Sequence, residues 1–136
     1  MKVVLDTNIL VSAVLRDRLP ERVVRAILGN DQWEWLVTRD LLAEYERVIG
    51  RPELGIPLDA QEEWAQLVHE KAVQVDAPLP SIEFTRDRKD IHVLQAVVAG
   101  HADYLLTGDK DFSEAQKLVS CRIMTVAEFA RLFGIT

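Results

Sequence analysis

The stretch Lys2-Val3-Val4-Leu5-Asp6-Thr7-Asn8 decides the fold class of this chain. An apolar run ends in a carboxylate and two small polar residues, and a new apolar run begins at Ile9. This order predicts a buried β-strand whose carboxyl end reaches the surface and turns into a helix. In an open α/β sheet, ligands bind at the carboxyl ends of the strands. The stretch therefore predicts a ligand site beside Asp6.

The segment 102–109, Ala-Asp-Tyr-Leu-Leu-Thr-Gly-Asp, repeats this order near the other end of the chain. It predicts a second apolar strand, which ends in Thr107, Gly108 and the carboxylate of Asp109. Two strands that bring carboxylates to one edge of a sheet predict a metal site at that edge.

Apolar residues at helical spacing, with capping sequences at several starts, predict helices along the rest of the chain. They are expected over 9–15, 20–28, 41–49, from 59 onward, 91–99, from 113 onward and 126–133. Trp33, Trp35 and Val37 alternate with Glu34 and Leu36, which predicts a strand at 33–37. Short segments at 73–75 and 122–124 predict further strands, and 77–84 reads as a loop. This alternation predicts an α/β fold, a three-layer αβα sandwich around a mostly parallel sheet.

Length, apolar content and cysteine count restrict the classes of protein to which this chain can belong. The length of 136 residues predicts a single domain spanning 1–136, and the apolar content of 49% is that of a globular protein. The sequence contains no run of about 18 apolar residues, so no membrane span is predicted. No secretory signal is expected at the start. The single cysteine, Cys121, excludes an internal disulfide framework and favours a reducing cytoplasm.

The formal net charge of −6 argues against a sequence-specific DNA-binding protein, since such proteins usually carry a basic excess. It does not exclude a metal-dependent nuclease, because divalent cations neutralise a site that concentrates carboxylates.

Acidic residues stand at the junctions of the predicted elements. Four of them are Asp6, Glu44, Asp90 and Asp109, with Asp111 close behind. Oxygen-only ligands suit Mg²⁺ or Mn²⁺, and crowded carboxylates repel one another unless a cation is present. A divalent ion can deprotonate water and neutralise charge on a phosphodiester. Hydrolysis of an RNA or DNA backbone is the chemistry that this arrangement predicts.

Each carboxylate also has an ordinary structural interpretation. Asp6 and Asp90 are good helix N-caps, whereas Asp109 and Asp111 suit a turn after a glycine. Glu44 on the shoulder of a helix would ordinarily be solvated. Since Glu44 and Glu46 flank the apolar stripe of their helix on opposite sides, helical geometry alone does not choose between them.

Four blocks, in order, carry a resemblance over nearly the whole chain: 4–10, 42–52, 86–90 and 100–112. The most specific part is the Ala-Asp-Tyr-Leu-Leu-Thr-Gly-Asp segment. With these blocks the sequence resembles the PIN domain family, in particular the VapC-like toxin ribonucleases of toxin–antitoxin pairs.

The resemblance implies a Mg²⁺- or Mn²⁺-dependent endoribonuclease that cleaves RNA in the cytoplasm, forms a homodimer and is inhibited by an antitoxin protein. The acidic quartet that it implies, catalytic and metal-binding, is Asp6, Glu44, Asp90 and Asp109, with Asp111 as a fifth ligand. Asn8 would orient Asp6, and the hydroxyl of Thr107 would support the site.

The third block departs from the family pattern. Relatives often read Arg-Asp-Pro-Asp-Asp-Asp there, whereas this chain has Arg88, Lys89 and Ile91 in place of proline and flanking acids. Counting back from segment 102–104 places Asp90 on the metal-binding position, with Asp87 as the rival. These replacements make the rim of the predicted metal site more basic, which predicts contacts to RNA phosphates. The predicted contacts are Arg86, Arg88, Lys89 and Lys110.

Two other functions are compatible with the same residues. One is a catalytically silent PIN-fold module that acts through a protein partner, which the intact quartet disfavours. The other is phosphoryl transfer through Asp6 as a nucleophile. Aspartyl phosphatases carry Asp-x-Asp-x-Thr, and Asn8 stands here in place of the second acid, so the sequence disfavours this function too.

Overall fold

The computed structural model describes residues 1–75, 89–109 and 120–136, with the backbone alone at 89 and 90. The strands are β1 (Lys2–Leu5), β2 (Glu34–Val37), β3 (Val73–Gln74), β4 (Tyr104–Leu106) and β5 (Arg122–Met124). The helices are α1 (Thr7–Val14), α2 (Arg18–Leu28), α3 (Arg39–Ile49), α4 (Leu58–Lys71), α5 (Lys89–Gly100) and α6 (Val126–Phe133). A short 3₁₀ helix covers Pro52–Leu54. No helix in these ranges is long and apolar enough to cross a membrane.

The five strands form one sheet in the order β3-β2-β1-β4-β5, and every neighbouring pair is parallel. The predicted α/β class with a mostly parallel sheet is confirmed. The chain adds β2 and β3 on one side of β1 and then returns to add β4 and β5 on the other side. The boundary between β1 and β4 is therefore the topological switch point, where ligands bind in open α/β sheets.

Strand β1 lies at the centre of the sheet and of the core. Val3, Val4 and Leu5 are all fully buried, so both faces of the strand are covered. The alternation expected in β2 is wrong for the same reason. Trp35, Leu36 and Val37 are buried in succession because this strand is also covered on both faces.

Several helices begin earlier than the sequence predicts. Helix α1 begins at Thr7 with Asp6 at the N-cap position, in place of a start at Ile9, and α2 begins at Arg18, ahead of Pro20. Each helix begins two residues before the start that the sequence predicts, because Thr7, Asn8 and Arg18 are polar and do not extend the apolar pattern.

Two predicted N-caps are also corrected. Helix α4 begins at Leu58 after Pro57, so Asp59 lies inside the first turn and its carboxylate accepts from the amide of Ala60 at 2.9 Å. Helix α5 begins at Lys89, so Asp90 is its second residue and not its N-cap.

Other signals are confirmed. Thr125 and Glu128 form the predicted capping box at the start of α6, and β5 has the predicted bounds. The edge strand expected at 73–75 is present as β3. The loop predicted at 77–84 and the helix predicted from 113 lie outside the described residues.

The start of α3 bears on the site because this helix carries Glu44. Thr38 is the N-cap, and its buried hydroxyl accepts from the amide of Leu41 at 3.1 Å. We expect Thr38→Ala to lower the free energy of unfolding by about 1 kcal/mol, since one amide of the first turn loses its partner. Urea denaturation measures the change. Thr38→Ser keeps the hydroxyl and should remain close to the parent; equal losses in the two variants would contradict the capping role.

Candidate metal centre

The candidate site lies at the carboxyl ends of β1 and β4, at the switch point of the sheet. Asp6 follows β1 directly, and its amide donates to the carbonyl of Leu106, the last residue of β4, at 2.9 Å. Thr107 then follows β4, so the two sequence segments that end in carboxylates do meet at one edge.

Thr107 connects Asp6 to Asp109 through hydrogen bonds. Its buried hydroxyl donates to Oδ2 of Asp6 at 2.7 Å and accepts from the amide of Asp109 at 3.0 Å. The side chain of Asp6 is 6% exposed, and Asp109 is half-buried beside it. The hydroxyl at position 107 therefore fixes the orientation of Asp6 and the backbone that carries Asp109.

Burial raises the pKa of Asp6 above its ordinary value, because desolvation disfavours the charged carboxylate. The hydroxyl of Thr107 and the amides of Thr7 and Asn8 act in the opposite direction and lower the pKa, while the negative charge of Asp109 raises it. The structure thus places two carboxylates close enough to repel each other.

The N-cap interpretation of Asp6 is not what the structure displays. Asp6 occupies the N-cap position of α1, but its side chain makes no capping hydrogen bond. Its carboxylate is bound by the hydroxyl of Thr107 instead. That hydroxyl and the amides of Thr7 and Asn8 at the start of the helix stabilise its charge.

Glu44 is the glutamate of α3 that faces this site. Glu44 is 7% exposed, and its Oε2 accepts a hydrogen bond from the hydroxyl of Thr7, the residue after Asp6. Glu46 lies on the other side of the helix, where it is exposed and paired with His69 at 2.6 Å. The choice that helical geometry left open is decided in favour of Glu44, and the solvated interpretation of this residue is wrong.

Two residues at the site were not identified as site residues from the sequence. The first is Thr7, which holds Glu44. The second is Tyr45, whose buried hydroxyl donates to the carbonyl of Leu5. The signal for Thr7 is its place beside Asp6 in the first block. Tyr45 gives no such signal, because in the sequence it is one more member of the apolar stripe of α3.

The donor set fits a hard divalent cation. Asp6, Glu44 and Asp109 offer only oxygen atoms, as Mg²⁺ and Mn²⁺ prefer. No ion pair within the described ranges neutralises Asp6 or Glu44, although both are buried. Buried charges normally have a counter-ion, so these two carboxylates fit a site that is completed by a cation.

The predicted site is described only in part. Within the described ranges no three acidic, histidine or cysteine side chains are grouped in a metal-binding arrangement. Asp90 lies in the first turn of α5, where its backbone alone is described, as is that of Lys89. Asn8 is exposed on α1. The remaining predicted residues lie outside the described ranges: Arg86, Asp87, Arg88, Lys110 and Asp111.

A comparison with protein families finds that the sequence pattern described as the PIN domain matches residues 2–111. The match includes β1 to β4 and all residues of the predicted quartet. No protein with a curated description matches the chain.

In the metal-free protein, the buried charge of Asp6 should lower the free energy of unfolding at neutral pH. Its folded-state pKa is raised, so unfolding becomes easier as pH rises from the ordinary value of 3.8 through the raised value, and the loss persists above it. We expect Asp6→Asn to raise the melting temperature of the metal-free protein at pH 7. The gain should shrink toward pH 3, where the parent carboxyl is protonated in both states.

Thermal unfolding in a chelator, followed by circular dichroism, measures this difference. Asp31→Asn is the matched control, since it makes the same chemical change at an exposed position. A variant at position 6 that melts below its parent at pH 7 would contradict the assignment of a desolvated, uncompensated carboxylate.

Proposed function

The chain belongs to the PIN domain family, whose members are generally nucleases that use divalent metal ions, and from this we propose that it is a Mg²⁺- or Mn²⁺-dependent endoribonuclease. One observation supports the proposal most directly. Thr107 binds the carboxylate of Asp6 and the amide of Asp109, so a buried and a half-buried aspartate lie together at the switch point of the sheet.

In this proposal the metal is held by Asp6, Glu44 and Asp109, with Asp90 and Asp111 completing the set. A divalent ion supplies two things when bound there: activation of a water molecule and neutralisation of charge on the phosphodiester. The protein positions the acids. Thr107 orients Asp6 through Oδ2, and Thr7 orients Glu44 through Oε2.

The substrate proposed is RNA, as the resemblance to toxin ribonucleases implies. Phosphate contacts are proposed for Arg86, Arg88, Lys89 and Lys110, which lie just before or at the start of α5 or directly after Asp109 in the sequence. These cations would offset the acidic balance of the chain near the site and hold the RNA backbone without reading its sequence.

The same resemblance leads us to propose a cytoplasmic toxin that forms a homodimer and is inhibited by an antitoxin protein. A short open reading frame beside the gene, whose product co-purifies with this chain and blocks cleavage, would support that role. A catalytically silent module acting through a protein partner is the alternative. It requires a stable partner complex in a protein that binds no Mn²⁺.

We expect Asp6→Asn to reduce cleavage of single-stranded RNA in Mn²⁺ to background, because one charged ligand and its electrostatic contribution are lost. Gel analysis of a labelled RNA, with Mn²⁺ titrated by calorimetry in parallel, measures the effect. Asp31→Asn is again the control, being an exposed Asp→Asn change away from the site.

Cleavage by Asp6→Asn at the parent rate would overturn the proposed mechanism. Cleavage that persists in both proteins after chelation of divalent ions would overturn the metal dependence.

A further inference from the structure

Helix α3 forms hydrogen bonds with the residues on both sides of Asp6. Glu44 and Tyr45 are adjacent on α3, and they bind Thr7 and Leu5, the residues on either side of Asp6. In the first bond Glu44 accepts from the hydroxyl of Thr7, and in the second Tyr45 donates its hydroxyl to the carbonyl of Leu5. The distance from α3 to the end of β1 is therefore fixed at two points around the central carboxylate.

The carbonyl of Leu5 is free for Tyr45 because of the way the sheet ends. Between β1 and β4 the paired register runs through Leu5, whereas between β1 and β2 it pairs Lys2 and Val3. Past Val3, the side of β1 toward β2 has no paired residue, and the Tyr45 hydroxyl binds the strand there. The last residue of β1 is thus secured by β4 and by α3.

The ring of Tyr45 is fixed independently of its hydroxyl. The side chain is 1% exposed, and its ring centroid lies 5.9 Å from that of the buried Trp35. Removing the oxygen alone should leave the ring in place.

We propose that Tyr45 is a positioning residue of the metal centre: its bond to Leu5 sets the separation of the Asp6 and Glu44 carboxylates. The proposal rests on the proposed function, because it assumes that these two acids share a cation. It assigns to Tyr45 a role in metal affinity and metal choice. Mg²⁺ demands near-ideal octahedral geometry, so a loosened site should lose Mg²⁺ more than the larger Mn²⁺.

The test compares Tyr45→Phe with two matched controls. Tyr104→Phe removes the hydroxyl of the other tyrosine, which packs among Trp33, Phe129 and Phe133 at the start of β4. Thr38→Ala destabilises the same helix, α3, without altering the bond to Leu5. The first control reports loss of a hydroxyl, and the second reports general loosening of the helix.

Calorimetric titration gives the Mn²⁺ and Mg²⁺ dissociation constants of each variant, without dependence on catalysis. We expect Tyr45→Phe to weaken Mn²⁺ binding about tenfold, the typical effect of losing a residue that supports a metal ligand. Mg²⁺ binding should weaken by more. Both controls should bind as the parent does. In the cleavage assay the defect of Tyr45→Phe should be recovered at high Mn²⁺, which a folding defect would not allow.

Parent-like binding by Tyr45→Phe, or equal weakening by Thr38→Ala, would overturn the positioning role while leaving the nuclease proposal standing. A parent protein that binds Mn²⁺ but cleaves no RNA would overturn the nuclease proposal and leave the affinity result standing. A parent that binds neither ion would overturn both.

Discussion

The structure depends on the burial of a carboxylate at the end of its central strand. Asp6 follows three fully buried residues of β1 and remains within the protein, 6% exposed. Placing a negative charge there is unfavourable, and the raised pKa of Asp6 records that cost. The surrounding polar contacts offset part of it: the hydroxyl of Thr107, and the amides at the start of α1.

Those contacts also explain how a site forms from distant parts of the chain. Thr107 and Asp6 are 101 positions apart, and Thr7 and Glu44 are 37 apart, yet each pair is joined by one hydroxyl. A threonine hydroxyl can donate to a carboxylate and accept from an amide at once. Neutral hydroxyls orient the acids without neutralising them, so their charge remains available for a cation. Buried arginines in the same places would satisfy the charge and remove that function.

Function and stability compete at this edge of the sheet. Buried, unpaired carboxylates lower the stability of a metal-free protein, and under the proposed function a bound cation would restore it. The hydrogen bonds from α3 to Leu5 and Thr7 fit this balance, because they hold the residues on both sides of Asp6 without neutralising its carboxylate.

Much of this arrangement could be predicted from local sequence. The apolar run before Asp6 and the repeat of that order before Asp109 predict two strands that end in acids, and parallel pairing brings such ends together. The capping box at Thr125 could also be predicted from the sequence, since it depends on residues three apart. Patterns of this kind are local, so one sequence contains all the information that they need.

Other features depended on contacts that local sequence does not contain. Periodicity left Glu44 and Glu46 equivalent, and only the packing of α3 against α1 buries the first beside Thr7 and exposes the second beside His69. The role of Tyr45 was hidden for the same reason, because a tyrosine in an apolar stripe gives no sign of where its hydroxyl will bind. The sequence by itself determined the α/β class and which strands end in acids. The tertiary structure decided which glutamate is buried beside the end of β1 and which hydroxyls bind the carboxylates, because burial and hydrogen bonding between distant segments exist only after the sheet has assembled.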